Sequence, residues 1–128
     1  MLGHAARFAR EWNMWSTPQT NAERAAVLDR HCEAIGRDPA EIARSTQALV
    51  FVSDDASAES VRQQKELIAR YAPRPSVAGT AAQIAEQVAA YAEVGVGEFI
   101  VPDFTLGQGS ERADRLDALI EAFAPLRG

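Results

Sequence analysis

The sequence predicts an α/β fold with about three parallel strands and flanking helices, formed by residues 1–128 as a single domain. Two segments, Ala48–Val52 and Glu98–Pro102, are short and almost wholly apolar, which is typical of strands buried within a parallel sheet. Helical patterns alternate with the predicted strands, and this alternation favours parallel strands joined by right-handed crossovers. The length of 128 residues and the 47% hydrophobic content suit one globular domain.

The first third of the chain predicts two helices on either side of a short strand. Leu2–Ala9 is typical of a helical segment, and Glu11–Trp15 of a strand. Thr17 and Pro18 begin the second helix, because proline is tolerated in the first turn. Gly36 ends this helix. Its predicted buried face contains Ala25, Leu28, Cys32 and Ile35.

The middle of the chain predicts a turn, a strand and a third helix. Asp38–Ile42 is typical of a tight turn or a single helical turn, and Ser45–Ser53 contains the second strand. The third helix ends before Pro73, and a loop leads from there to Gly79. One face of this helix is predicted to contain Val61, Gln64, Ile68 and Tyr71.

The most clearly patterned unit is a capped helix followed by a strand. Thr80 is a typical N-cap, and Gln83 completes a capping box with it. Gly95 ends the helix, the strand Glu98–Pro102 follows, and Asp103 lies just beyond that strand. The apolar face of the helix contains Ile84, Val88 and Tyr91. A last helix is predicted to pack through Ala113, Leu116, Ile120 and Phe123.

Composition argues against several classes of function. The net charge is −5 and the basic residues are scattered, so we expect no nucleic-acid binding. Cys32 is the only cysteine, which excludes an intrachain disulfide and fits a reducing cytoplasm. The apolar run Val88–Val101 is too short and too polar to cross a membrane, and the first residues lack the apolar core of a signal peptide.

The candidate functional residues lie in and beyond the predicted strands. Trp12, Asn13 and Trp15 could line a pocket for a planar ligand, although both tryptophans could equally be packing residues. Asp103 lies where parallel α/β folds place their chemistry, and turn formation is the alternative role for this residue. For two further acids the favoured role is helix capping: Asp54 and Asp55.

Three other patterns are weak. His31 and Cys32 are adjacent on a helix and point in different directions, so no metal site is predicted. Gly107–Gly109 lacks the third glycine of a dinucleotide-binding motif and is better explained as a flexible loop. Gly79 and Thr80 at a helix start are better explained as a cap than as an anion site.

Four segments together resemble luciferase-like oxidoreductases, most closely the branch that depends on coenzyme F420. Ala6–Asn13 resembles the family segment AARxADEWN, and His31–Ile42 resembles CExxGRDPxEI. Gly79–Glu86 resembles GTPEQxAE, and Ala92–Asp103 resembles AEAGVDEFIVPD. These segments occur in the family order and cover nearly the whole chain. Arg10 stands where the family has an aspartate.

The resemblance implies the C-terminal part of a TIM (β/α)₈ barrel, with about three of the eight strands. It implies hydride transfer, or monooxygenation, on a small organic substrate with F420 or flavin mononucleotide (FMN) as the cofactor. Asn13 and Trp15 are the implied cofactor-binding residues and Asp103 the implied substrate-binding residue; no residue is assigned a catalytic step. The family's glycine-rich phosphate-binding run precedes the first matching segment, so we expect this chain alone to bind either cofactor weakly and to lack activity.

Self-association is the alternative to catalysis. Apolar residues alternate on both faces of the predicted strands, and the helices can cover only one of these faces. We therefore expect a homo-oligomer, or association with a separate chain that supplies the N-terminal part of the barrel. The face expected to need such a partner involves Leu49, Phe51, Phe99 and Val101 alternating with Val50, Val52 and Ile100.

Overall fold

Five parallel strands form two small sheets in the computed structural model, which describes residues 1–127. The strands are β1 (Glu11–Trp15), β2 (Ala43–Gln47), β3 (Leu49–Val52), β4 (Ser76–Gly79) and β5 (Glu98–Ile100). The first sheet has the order β1–β2–β5, and the second pairs β3 with β4. Every pairing is parallel, so the predicted parallel α/β fold is confirmed.

Five helices connect and cover the strands. They are α1 (Leu2–Phe8), α2 (Pro18–Ala34), α3 (Ala58–Tyr71), α4 (Ala81–Glu93) and α5 (Gly109–Phe123). The predicted capping box at Thr80 and Gln83 is present, and a second one joins Thr17 to Thr20. Gly95 has a φ of 94°, which glycine adopts at little steric cost, and α4 ends there as predicted. The turn before β2 is a single 3₁₀ turn, Pro39–Glu41.

The strands differ from the prediction in two places. Ser76–Gly79, which we predicted to be a loop, is a strand paired with β3. The predicted strand Ala48–Val52 corresponds to β3, whereas Ala43–Gln47 before it is a separate strand, β2, in the other sheet. Ser45, Thr46 and Gln47 give β2 a polar sequence, and this composition hid a central strand from an argument based on apolar runs.

Two clusters of buried side chains form the core. The larger cluster joins β3, β4, α4 and α5 through Val50, Val77, Ile84, Val88, Tyr91, Val96, Leu106 and Leu119. The smaller cluster joins α1, α2 and the segment before β2 through Ala6, Leu28, Cys32 and Ile42. Trp12 packs against this smaller cluster and is partly buried. The core therefore has a larger and a smaller part, with α2 contributing to the latter.

Some predicted core residues are exposed. Ile35 is 48% exposed, because α2 ends at Ala34 and Ile35 is already its C-cap. Ile120 is 52% exposed, whereas Leu119 beside it is buried. The buried stripe of α5 therefore passes through Leu119, with Leu116 and Phe123 packed beside it. Two more residues predicted to pack are exposed: Val61 and Ala113.

The expectation of an open apolar sheet face is also wrong for the second sheet. Leu49 and Phe51 are buried, and the ring of Phe51 lies 5.8 Å from that of Tyr71 in α3, so β3 is covered on this side. The uncovered surface belongs to the first sheet, and it is mainly polar. We call it the open sheet face; its residues are Glu11, Asn13, Trp15, Ser45, Gln47, Glu98 and Ile100, of which Ser45 is itself buried.

Candidate functional site

The strand register arranges the open sheet face in rows. Trp15, Gln47 and Ile100 are register partners at the carboxyl ends of β1, β2 and β5. We call these three residues the carboxyl row. Asn13 and Ser45 form the next row together with Glu98. Register partners in a sheet point to the same side, so each row presents its side chains together.

A chain of hydrogen bonds connects these rows. Gln47 Nε2 donates to Asn13 Oδ1 at 3.3 Å, and Asn13 Nδ2 donates to Ser45 Oγ at 2.9 Å. Ser45 Oγ donates in turn to Glu11 Oε1 at 2.7 Å. Each donor in this chain points toward the carboxylate, so the arrangement orients the Asn13 and Gln47 amides. The Asn13 amide is consequently held in one orientation at an exposed position.

The two tryptophans of β1 lie on opposite sides of the sheet. Trp15 is on the open sheet face and is 37% exposed, so part of its indole ring is available for stacking. Trp12 points to the helical side and packs on the smaller cluster. Of the two alternatives left open by the sequence, packing therefore describes Trp12. Trp15 and Asn13 share one face, as the pocket hypothesis requires.

A buried polar cluster supports the carboxyl end of β1 from the helical side. Ser16 Oγ and Thr46 Oγ1 share a hydrogen bond of 2.6 Å, and Asn21 Nδ2 donates to Ser16 Oγ at 3.1 Å. Tyr91 OH donates to the Ser16 carbonyl oxygen at 2.6 Å. Burial of the Tyr91 hydroxyl raises its pKa to about 12. These contacts fix the backbone that follows Trp15.

The structure separates Asp103 from the other two predicted site residues. It lies in a 3₁₀ turn beyond β5, is exposed, and its Oδ2 lies 3.4 Å from Arg112 Nη1. Since β2 stands between β1 and β5, their axes are about 10 Å apart at the usual strand spacing. Among residues 1–127, no hydrogen bond joins Asp103 to Asn13. A substrate-binding role for Asp103 therefore stays a prediction.

The N-cap of α3 is Ser57, not Asp54 or Asp55 as favoured from the sequence, and Asp55 supports this cap instead. Its Oδ1 accepts from Ser57 N at 3.0 Å and from Ser60 Oγ at 2.7 Å, next to the start of α3. Hydrogen bonds from Ser57, and then from Ser60, lower the pKa of Asp55 to about 2. Asp55 is thus bound to its own loop.

Sequence reasoning missed Ser45 and Gln47, which complete the open sheet face. The segment Ala43–Gln47 shows no alternation of apolar and polar residues, so its own sequence gave no signal for a strand. Within the described residues, no group of three or more His, Cys, Asp or Glu side chains could hold a metal ion. None of the helices described in residues 1–127 is long and apolar enough to cross a membrane.

The fold is that of part of a TIM barrel, and it is similar to parts of larger solved structures. It is similar to the coenzyme F420-dependent tetrahydromethanopterin reductase from Methanopyrus kandleri, with a TM-score of 0.66 and 17% identity. The match covers 96% of this chain and 48% of the reductase. No protein-family model and no curated protein sequence matches the chain.

Two further solved structures share this fold. Long-chain alkane monooxygenase (LadA) has a TM-score of 0.71 and 10% identity over 98% of this chain and 38% of its own. An F420-dependent secondary alcohol dehydrogenase in complex with an F420-acetone adduct has a TM-score of 0.63 and 12% identity, over 95% and 45% of the two chains. The chain therefore spans less than half the length of each of the three structures. The fold implied by the family resemblance is confirmed, as part of a barrel.

The described residues fit one part of a flavin or deazaflavin cofactor. A tricyclic ring needs an apolar surface and a few oriented polar groups, and the carboxyl row with Asn13 offers both. For the phosphate part of such a cofactor, the described part of the chain offers no comparable set of binding groups. Arg112 and Arg115, near the end of β5, form ion pairs with Asp103 and Glu111. The site thus fits the ring of the cofactor and not its phosphate group.

Proposed function

We propose that this chain forms the ring-facing part of an F420- or FMN-dependent oxidoreductase. Asn13 and Trp15 would contact the cofactor ring at the carboxyl row, and Gln47 would hold the Asn13 amide in place. The bound cofactor would supply hydride transfer, or oxygen activation in the flavin case, to a small organic substrate. The role of the chain itself is to bind and orient the ring. A reducing cytoplasm suits its unpaired, buried Cys32.

The observation that carries this proposal is the common face of Asn13 and Trp15 in a fold shared with F420-dependent enzymes. Carboxyl ends of strands carry the active sites of TIM-barrel enzymes. Trp15 lies at such an end, with a partly exposed ring and a fixed amide two residues away. These features favour a planar ligand over a metal ion.

Cofactor binding by the isolated chain is expected to be weak and to involve Trp15. Titration with F420 and with FMN should give dissociation constants weaker than about 100 µM, because residues 1–127 offer no convergent phosphate donors. Bound cofactor should quench the Trp15 fluorescence. In a Trp12→Phe variant, Trp15 is the only tryptophan and the quenching should remain.

The matched variants are Trp15→Phe and Asn13→Ala. Trp15→Phe leaves Trp12 as the reporter, on the far side of the sheet, and the quenching should be largely lost. Asn13→Ala should weaken binding severalfold without changing the far-UV circular dichroism. Low-micromolar binding that survives both substitutions would contradict the assignment of this face.

Self-association is the second candidate function, and one observation favours it. The described chain exposes several large apolar side chains outside the open sheet face: Phe8, Phe104 and Ile120. Phe8 ends α1 and Ile120 lies in α5, so contact between two copies could bring such side chains together.

A further inference from the structure

The helical layer has two ends, and each exposes an unpartnered surface. The main helix–helix contacts run from α1 to α2, from α2 to α4 and from α4 to α5. This order puts α1 and α5 at opposite ends of the layer, just as β1 and β5 are the two edges of the first sheet. Trp12 of β1 shares the smaller cluster with α1, and Phe99 of β5 shares the larger cluster with α5. Both layers therefore end together, at α1 with β1 and at α5 with β5.

The α1 end is basic and apolar. Phe8 is 76% exposed and, with His4 and Arg7, lies on one face of α1 at a spacing of three and four residues. Arg10 is exposed just beyond the helix. Among residues 1–127, neither Arg7 nor Arg10 forms a salt bridge. The end thus presents two available cations around an exposed aromatic ring.

The α5 end is acidic and apolar. Asp117, Ile120 and Glu121 are exposed and share one face of α5. Asp114, also exposed, extends this acidic face by one turn. Within the described part of the chain, none of these three acids takes part in a salt bridge. Each end therefore has an exposed apolar residue beside charged residues, and the charges at the α5 end are opposite in sign to those at the α1 end.

The second sheet offers no comparable edge at β4. Gln87 of α4 donates through Nε2 to the Ala78 carbonyl oxygen at 2.7 Å and accepts from Ala78 N at 3.2 Å. Its amide thus takes the place of a neighbouring strand. Sheet edges with unpaired backbone groups invite pairing, and this contact reduces that tendency at β4. Backbone pairing with an added partner is therefore not expected at β4.

We propose that the α1 end of one copy of this chain docks on the α5 end of a second copy. Phe8 then packs against Ile120, and Arg7 and Arg10 face Asp117 and Glu121. In a two-fold dimer the contact occurs twice, α1 on α5 of the partner and α5 on α1 of the partner. A two-fold axis along the strands also brings β1 of each copy beside β5 of the other. Complementary charge selects this pairing over two like ends.

Charge reversal at each end tests the proposal. The base-reversed chain carries Arg7→Glu and Arg10→Glu, and the acid-reversed chain carries Asp117→Arg and Glu121→Arg. Sedimentation velocity should find a dimer for the natural chain at micromolar concentration. Each reversed chain should dimerise about tenfold more weakly, because attraction becomes repulsion in two symmetric contacts.

Mixing the two reversed chains is the decisive measurement. The base-reversed chain has two acidic ends and the acid-reversed chain two basic ends, so the mixture should form a heterodimer with both contacts restored. A control with Lys65→Glu and Arg70→Glu has the same charge change as the base-reversed chain, but on exposed positions of α3. This control should dimerise as the natural chain does.

The outcomes separate the possible partners of these ends. A natural chain that stays monomeric at 100-fold higher concentration would overturn the proposal and leave a different polypeptide as the partner. If the reversed chains dimerise as strongly as the natural chain, or if their mixture fails to associate, the assignment of the α1 and α5 ends as the contact is wrong. Far-UV circular dichroism of every variant checks that the chain is folded. None of these results depends on cofactor binding, so the two proposals fail independently.

Discussion

The residues of β1 show how one strand can combine packing and ligand binding. Successive side chains of a strand point to opposite faces, so Trp12 and Trp15 cannot share a role. Trp12 contacts the smaller cluster of α1 and α2, whereas Trp15 lies on the open sheet face beside Gln47. The sequence placed both tryptophans in one group because they are three residues apart, and the strand register separates them.

Substitution of the two tryptophans should therefore affect stability differently. Trp12→Ala should lower the free energy of unfolding by about 3 kcal/mol, because a large side chain is removed from a packed site. Trp15→Ala should lower it by about 0.5 kcal/mol or less, as at other exposed sites. Urea unfolding followed by circular dichroism measures both values. Equal losses would show that Trp15 is also a packing residue.

Tyr91 contributes a hydrogen bond that only a neutral phenol can donate. Tyr91→Phe should cost about 1–3 kcal/mol, because the buried Ser16 carbonyl loses its donor. The pKa of Tyr91 is raised from 10.0 to about 12, so its contribution is complete below pH 10 and is lost as the pH rises toward 12. Thermal unfolding of the natural chain and of Tyr91→Phe should be compared between pH 8 and 11. The difference in stability between them should narrow only above pH 10. A difference in stability that stays constant up to pH 11 would contradict the role of the neutral Tyr91 hydroxyl as a donor.

At the scale of elements, the loop before α3 depends on the ionised form of Asp55. Its pKa is lowered from 3.8 to about 2 by hydrogen bonds from Ser57 and Ser60. The stabilisation is present above pH 3.8 and is lost as the pH falls toward 2. NMR titration of the carboxyl carbon should give this low pKa, and Ser60→Ala should raise it. A value near 3.8 in the natural chain would mean that the loop is not formed in solution.

The elements that the sequence predicted best are those specified by local contacts. The capping box of α4 and its end at Gly95 need only neighbouring residues, and both were predicted correctly. The strand β4 depends on distant partners, since it pairs with β3 and its free edge is closed by Gln87. Four residues with serine and glycine at the ends carry little strand propensity of their own. Such a strand could not be predicted from its own sequence.

At the scale of the whole molecule, the apolar surface that favours association is not the one expected from the sequence. The sequence suggested an uncovered apolar sheet, but Leu49 and Phe51 are buried and the open sheet face is mostly polar. Two of the exposed large apolar residues, Phe8 and Ile120, lie instead at the two ends of the helical layer. Burial depends on which helix covers which strand, and α3 covers β3 through a contact that joins Phe51 to Tyr71. Alternation along a strand cannot reveal that contact.

The two parts of the core should open with different free energies. The smaller cluster has four buried residues and includes Cys32, whereas the larger one joins four elements. Local opening costs least where few apolar contacts hold a region. Labelling of the buried Cys32 thiol in the native state should therefore report a smaller free energy of opening than hydrogen exchange at Val50 and Val77 in β3 and β4.

The rate at which Cys32 is labelled should also depend on association through α1. If α1 docks on a second copy, higher protein concentration should slow the labelling of Cys32, because association stabilises the state in which α1 is packed. The base-reversed chain should lose this concentration dependence, and the α3 control should keep it. Equal opening free energies for Cys32 and the β3 amides would mean that the molecule unfolds as one cooperative unit, so that α1 cannot open without the larger cluster.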